Sequence, residues 1–262
     1  MENESNKPKH SEEILNEQIN TALKEHKRPT LGLFLSAFSA GLEISFSFFL
    51  IAIVHYLFVD QMNEDSLKMA MAFCYPIGFV LVIIGRSELF TEHTTLAVLP
   101  VFEGLASIWS LLVLWTTIFF GNVLGGYVFS FLLIEIGKDL GITDKESIET
   151  LAKHVIDYPT YVMLFSGVMA GWLMGLLAWL ITAANETISR IVIIILITTL
   201  IGIGGLHHSI VGSTEVFSGM LVSDKITWKD YLNFQWAVTL GNIIGGVFFV
   251  SLIKYGHTKN AR

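Results

Sequence analysis

Six nearly continuous apolar stretches dominate the chain, at residues 31–58, 67–84, 105–134, 158–184, 191–203 and 231–253. A helix needs about 20 apolar residues to cross a bilayer, and most of these stretches approach or exceed that length. Lipid offers the backbone no hydrogen-bond partners, so such segments satisfy their own N–H and C=O groups as helices. The expected fold is therefore an all-α membrane protein with six transmembrane helices. Composition agrees: of 262 residues, 53% are hydrophobic and 15% charged, where a soluble domain carries about 25% charged residues. A net charge of −7 supplies no polybasic surface for nucleic acid. The single cysteine, Cys74, excludes a disulfide framework and a cysteine-based zinc site. No secretory signal is read in the polar first 30 residues, so insertion is expected to rest on the spans themselves.

Two of the six stretches are interrupted near their middles. The second meets Gly85-Arg86-Ser87-Glu88-Leu89-Phe90-Thr91-Glu92-His93-Thr94-Thr95 before resuming at Leu96. The fifth meets Gly204-Gly205-Leu206-His207-His208-Ser209-Ile210-Val211-Gly212-Ser213-Thr214-Glu215 before resuming at Val216. Broken backbone at membrane depth is tolerated only where it is buried in protein or lines a cavity, and matched interruptions in two halves point to a transport site. The halves match elsewhere too. Gly121-Asn122-Val123-Leu124-Gly125-Gly126 recurs as Gly241-Asn242-Ile243-Ile244-Gly245-Gly246, and Glu88-Leu89-Phe90-Thr91 resembles Glu215-Val216-Phe217-Ser218. Ser36 with Ala40-Gly41 resembles Ser166 with Ala170-Gly171. Three spans per half is an odd number, which predicts a 3+3 inverted repeat with broken helices 2 and 5. The Gly-Asn-x-x-Gly-Gly motifs are read as close helix packing.

The chain divides into a polar N-terminal segment (residues 1–29), a six-helix channel domain (30–257) and a short tail (258–262). Ser11 followed by Glu12 and Glu13, then Ile14, Leu15, Ile19 and Leu23, predicts an amphipathic helix capped by Ser11, lying at the membrane surface or against the bundle. Residues 135–157 read as a polar connection. Lys7, Lys9, Lys24, Lys27, Arg28, Arg190, Lys254, Lys259 and Arg262 fall on one side and outnumber the cations of the other, Lys68, Lys138, Lys145, Lys153, Lys225 and Lys229. The positive-inside rule then places both termini in the cytoplasm of a multi-pass inner membrane protein.

The chain resembles the formate/nitrite transporter family across nearly its whole length. The resemblance is carried by Ser87-Glu88-Leu89-Phe90-Thr91, Phe120-Gly121-Asn122, His208-Ser209-Ile210 and Gly241-Asn242-Ile243-Ile244-Gly245-Gly246. It implies a homopentamer of aquaporin-like protomers in the lipid bilayer, each with its own pore, passing small monovalent anions with no cofactor. By the resemblance, His208 is the central histidine and Thr91 the threonine that faces it, while Phe79, Leu89 and Ile201 fall where the family builds apolar constrictions, with Tyr75 extending one of them. The sequence also departs from the family pattern. His207 stands where a glutamate is common, Gly171 where an asparagine is common, and Val155 near the place of a vestibule lysine, with Lys153 nearby.

The chemistry fits a weak acid. A bare anion pays heavily to cross an apolar constriction and the neutral acid much less, and an imidazole near the pore centre can lend a proton near neutral pH. Glu92, His93 and His207 are further pore candidates, because an intramembrane ionisable group is costly unless used. Glu88 and Glu215 read as caps of half-helix N-termini, and Arg86 as a local partner of Glu88 that fixes the loop. Two other classes remain open. One is a pore for another small solute such as ammonium/ammonia or water. The other is a membrane metal-binding protein using His93, His207, His208, Glu92 and Glu215, although adjacent histidines lack the i, i+4 spacing of a helical metal site. No phosphate loop, Gly-x-Ser-x-Gly elbow or dinucleotide fingerprint points to an enzyme.

Overall fold

The structure is a computed structural model that describes residues 7–260. The outer ends of both tails, residues 1–6 and 261–262 with Arg262, lie outside the described residues. Among the described residues every regular element is a helix. α1 (Ser11–His26) leads into α2 (Thr30–Phe58). α3 (Glu64–Cys74) and α4 (Pro76–Gly85) follow end to end, and then come the short α5 (Phe90–Leu96) and α6 (Leu99–Phe102). α7 (Ile108–Gly137), α8 (Lys145–Ile156), α9 (Thr160–Ala183), α10 (Thr187–Ile203), α11 (Ser209–Val222) and α12 (Trp228–Ile244) complete the bundle. A π-helical segment, Gly245–Leu252, carries α12 into α13 (Ile253–Asn260). Among the described residues five helical stretches are long and apolar enough to cross a membrane: α2, α3 with α4, α7, α9, and the run Trp228–Asn260. α10 and α11 are apolar but shorter, at 17 and 14 residues.

α1 packs against the bundle. Its stripe of Ile14, Leu15 and Ile19 is buried with Leu99 and Trp179. His26 bridges to Ser110 Oγ (2.8 Å) and the Ala97 carbonyl (2.9 Å). The N-cap is His10, not Ser11, which is the first helical residue. The carboxylate of Glu13 reaches back to accept the His10 backbone N–H at 3.0 Å, so the helix start is closed one residue earlier than the sequence suggests. Because His26 meets the start of α7, and α8 follows the end of that 30-residue helix, α1 and α8 mark opposite ends of the bundle.

Several helix pairs approach at backbone distance, and two of them correspond between the halves of the sequence. A Cβ on Gly41 of α2 would lie 2.1 Å from the Asn122 carbonyl oxygen of α7, and one on Gly171 of α9 would lie 2.2 Å from that of Asn242 on α12. Small residues let membrane helices come this close and gain dispersion contacts in place of a hydrophobic drive. These contacts fix the long helices, and the long helices in turn position the connections 86–89 and 204–208.

Residues 145–156, which the sequence presents as part of a polar connection, form the amphipathic α8. Asp144 caps it by accepting the Ser147 N–H (2.8 Å), and Ile148, Leu151 and Ala152 are buried. Its charged face carries Glu149, bonded to Lys153 and to Lys225 (3.0 Å). Hydrogen bonds from Lys153, then Lys225 and Ser223, pull the Glu149 carboxyl down to about 2. A carboxylate held below its unfolded value stabilises the fold above that value and loses its contribution as pH falls toward the folded one. Lowering the pH from 4.5 toward 2 is therefore expected to erase the melting difference between the wild type and Glu149→Gln in detergent. A difference that is unchanged across that window contradicts the assignment.

Candidate functional site

The two connections are held by the same device. Asn122 Oδ1 accepts the backbone N–H of Phe90 at the start of α5 (2.8 Å), while its Nδ2 donates to the carbonyls of Ala37 (2.7 Å) and Glu88 (2.9 Å). Asn242 Oδ1 accepts the N–H of Ser209 at the start of α11 (2.9 Å), and its Nδ2 donates to the carbonyls of Gly167 (2.8 Å) and His207 (3.1 Å). Each amide thus caps a helix start, ties the preceding loop and bonds a neighbouring long helix. The non-helical stretches shrink accordingly to 86–89 and 204–208. Two sequence expectations are corrected here. Glu88 and Glu215 are not the caps: Glu88 faces Arg28 and His93, and Glu215 lies within α11. The Gly-Asn-x-x-Gly-Gly motifs supply more than packing, since their asparagines carry the capping. An amide inside an apolar span is the signal that points to such a role.

The two connections bring Thr91 and His208 together. Thr91 Oγ1 lies 2.7 Å from His208 Nε2, and both residues are buried. His208 is the N-cap of α11, and its Nδ1 accepts the Val211 N–H at 3.3 Å. A neutral imidazole that accepts at Nδ1 carries its proton on Nε2. His208 therefore donates to Thr91, which leaves the threonine hydroxyl hydrogen free for another acceptor. The Phe79 ring stands edge-on to His208 at 5.2 Å between centroids, and Tyr75 lies 5.3 Å behind Phe79. Pro76, which lacks an N–H, opens the α3–α4 junction. Ser47 Oγ stitches that junction by donating to the Tyr75 carbonyl (2.6 Å) and accepting the Gly78 N–H (3.1 Å). Phe79, Leu89 and Ile201 have no exposed surface.

A cavity of about 120 Å³ opens from the α8 end and reaches His208. Its walls include Lys68, Tyr75, Ile201, His207, His208 and Glu215. His207 is anchored at its edge: Ser166 Oγ accepts its backbone N–H (3.0 Å) and bonds its Nδ1 (2.8 Å), while Nε2 donates to the Val155 carbonyl (3.0 Å). Val155, near the place of the family's vestibule lysine, thus serves through its backbone. Lys153 pairs with Glu149, and the lysine that lines the cavity is Lys68, from α3. Gly171 packs on Asn242, where an asparagine side chain would have no room.

Neither Glu92 nor His93 joins His208 in the cavity wall. His93 Nε2 makes a short contact with Glu88, whose other oxygen takes Arg28 at 2.9 Å, and Arg28 also holds Glu25 at 3.0 Å. Glu88 is therefore paired with Arg28 of the α1–α2 link and not with Arg86, which stands at the C-cap of α4 in the left-handed region (φ 61°). Among the described residues no three His, Cys, Asp or Glu side chains gather as a metal-binding set. The ring nitrogens of His207 and His208 are committed to Ser166, Val155, Val211 and Thr91.

Long apolar helices that enclose a buried histidine–threonine pair, reached by a cavity, define a helical membrane protein built around an internal polar site. The family profile described as "Formate/nitrite transporter" matches residues 12–256. The chain belongs to the formate/nitrite transporter family. It is 29% identical over 243 residues to the "Inner membrane protein YfdC" of Escherichia coli (strain K12), covering 90% of this chain and 75% of that one. Its fold is similar to that of an "FNT family ion channel" (TM-score 0.84, 24% identity, 93% of this chain and 98% of that chain). It is also similar to a "Pentameric formate channel with formate bound" (TM-score 0.73, 21% identity, 88% of this chain and 98% of that chain).

Proposed function

We propose that this protein is a membrane channel for small monovalent weak-acid anions of the formate and nitrite type, with proton-linked passage past His208. In this reading the bundle is a 3+3 inverted repeat of six spans. The α3–α4–α5 run is the broken second span and α10–α11 the broken fifth. Both termini are cytoplasmic, and five copies assemble with one pore each. Similarity of fold to the pentameric formate channel supports the fivefold assembly.

The observation that carries the proposal is the 2.7 Å hydrogen bond from His208 to Thr91, set between two helix starts and packed against Phe79. An anion that leaves water for an apolar constriction needs either donors or a proton. At this point the threonine hydroxyl supplies a donor oriented by the imidazole. His208 has one proton in this geometry, so it lends a proton only after Nδ1 is itself protonated and releases the Val211 N–H. Glu215 in the cavity wall favours the competing reading of a pore for a cation such as ammonium.

Purified protein in liposomes, tested with formate, nitrite, hydrosulfide, lactate and ammonium, separates the two readings. Uptake of formate or nitrite with co-moving protons is the expected result. A pore that passes ammonium and is blind to every anion overturns the proposal.

A further inference from the structure

Among the described residues Glu215 is the one carboxyl in the cavity wall, and neither the asparagine caps nor the histidine–threonine pair uses it. It lies on α11 seven residues after His208, two turns along the same helix face, or about 10 Å along the axis. Both residues line the cavity. Its carboxyl has no hydrogen-bond or ion-pair partner among the described residues, and it is part-exposed toward the cavity rather than sealed in the protein. The titratable and charged groups that face it are Lys68 and Tyr75 from the α3 side, His154 from α8, and His207 and His208 from the connection before α11. Ile51 of α2, Leu151 of α8 and Ile201 of α10 are among the residues that give the remaining walls apolar surface. Lys68 and His154 are solvent-exposed, so the cavity communicates with water at the α8 end.

We infer that Glu215 is the proton-loading residue of the outer vestibule: it protonates a weak-acid anion that Lys68 has drawn in, and the neutral acid then crosses toward His208 and Thr91. This rests on the channel reading above and deepens it. The reasoning is one of supply. The neutral His208 imidazole has a single proton, already donated to Thr91, and giving it up would leave an imidazolate. The proton therefore comes from another group on the substrate's path, and Glu215 is the carboxyl on that path. The step balances. The O–H bond of the Glu215 carboxylic acid breaks, an O–H bond to the anion forms, Glu215 is left as a carboxylate, and hydronium from the open side returns its proton. Lys68 supplies attraction without a proton, the division of labour expected of an exposed ammonium.

The test is formate uptake into liposomes that contain the full-length protein, at pH 7.5 and pH 5, for the wild type, Glu215→Gln, Glu215→Asp and Lys68→Ala. Size-exclusion profiles in detergent check that each variant is assembled. Glu215→Gln is expected to slow uptake tenfold or more at pH 7.5. Its defect should shrink to within about threefold at pH 5, where more formate arrives already protonated. Glu215→Asp should keep at least a third of the rate at both values. Lys68→Ala should raise the half-saturating formate concentration several-fold with little change in maximal rate. A wild-type rate in Glu215→Gln at pH 7.5, or a faster one that marks Glu215 as an electrostatic barrier, overturns the inference and leaves the channel reading standing. A wild type silent toward formate and nitrite brings down the channel reading, and this inference with it.

Discussion

Asn242→Ala should lower the stability of the detergent-solubilised protein by about 3 kcal/mol or more. The substitution leaves the Ser209 N–H and the carbonyls of Gly167 and His207 without their partner, and a buried polar group left unsatisfied costs roughly 1–3 kcal/mol. The surroundings are protein, without lipid or water to substitute, so this exceeds the ~0.6 kcal/mol average of interhelical hydrogen bonds in membranes. Asn242→Asp keeps the acceptor for Ser209 and loses both donations, so its loss should exceed that of Asn242→Ala only through the added buried charge. The corresponding pair at Asn122 should behave alike, since its three bonds have the same form. Thermal unfolding followed by size exclusion reads the effect. A wild-type melting curve for Asn242→Ala would remove the capping role assigned to this residue.

His208→Ala should reduce formate or nitrite flux by roughly tenfold to a hundredfold while the protein stays folded. The expected size follows from losing one oriented donor system worth about 1–3 kcal/mol at the barrier, at about 1.4 kcal/mol per factor of ten. The structural cost is smaller: His208 also caps α11 through Val211, and a lost N-cap costs about 1 kcal/mol. Thr91→Val, which keeps the shape and removes the hydroxyl, should reproduce most of the loss, and Thr91→Ser should restore it. Flux indistinguishable from wild type in both His208→Ala and Thr91→Val would dismiss the pair as the centre of the pore.

Much of the helical architecture is legible in the hydropathy alone, because lipid leaves a spanning backbone few choices. The positions of the two interruptions are legible for the same reason: polar residues inside apolar runs are expensive. What the residues alone do not disclose is who satisfies them. Glu88 and Glu215 look like caps because they sit near helix starts in sequence, yet the caps come from Asn122 and Asn242, 32 and 33 residues beyond the N–H groups they accept. Local spacing is blind to such partners. Arg86 looks like the mate of Glu88 on the same logic, while Arg28 reaches it from the end of α1 across 60 positions. α8 is hidden for a different reason. It is short and charged, and its fully buried apolar residues are Ile148, Leu151 and Ala152, the last seated where Gly219 leaves room for it. Lys68 leaves no local mark either, because it reaches the cavity from α3, far along the chain from the Val155 position where a vestibule cation is expected.

The position of the two asparagines in the chain has a consequence for how the protein is made. Phe90 and Ser209 leave the ribosome well before Asn122 and Asn242, by 32 and 33 residues. Chains emerge from the N-terminus at about 5–20 residues per second, so each connection waits seconds for the amide that closes it. During that interval the newborn helix start holds open donors inside the membrane. Nascent chains arrested between residues 209 and 242 should therefore carry a settled first connection and an unsettled second one. The last long helix then completes the bundle and also locks a loop translated before it.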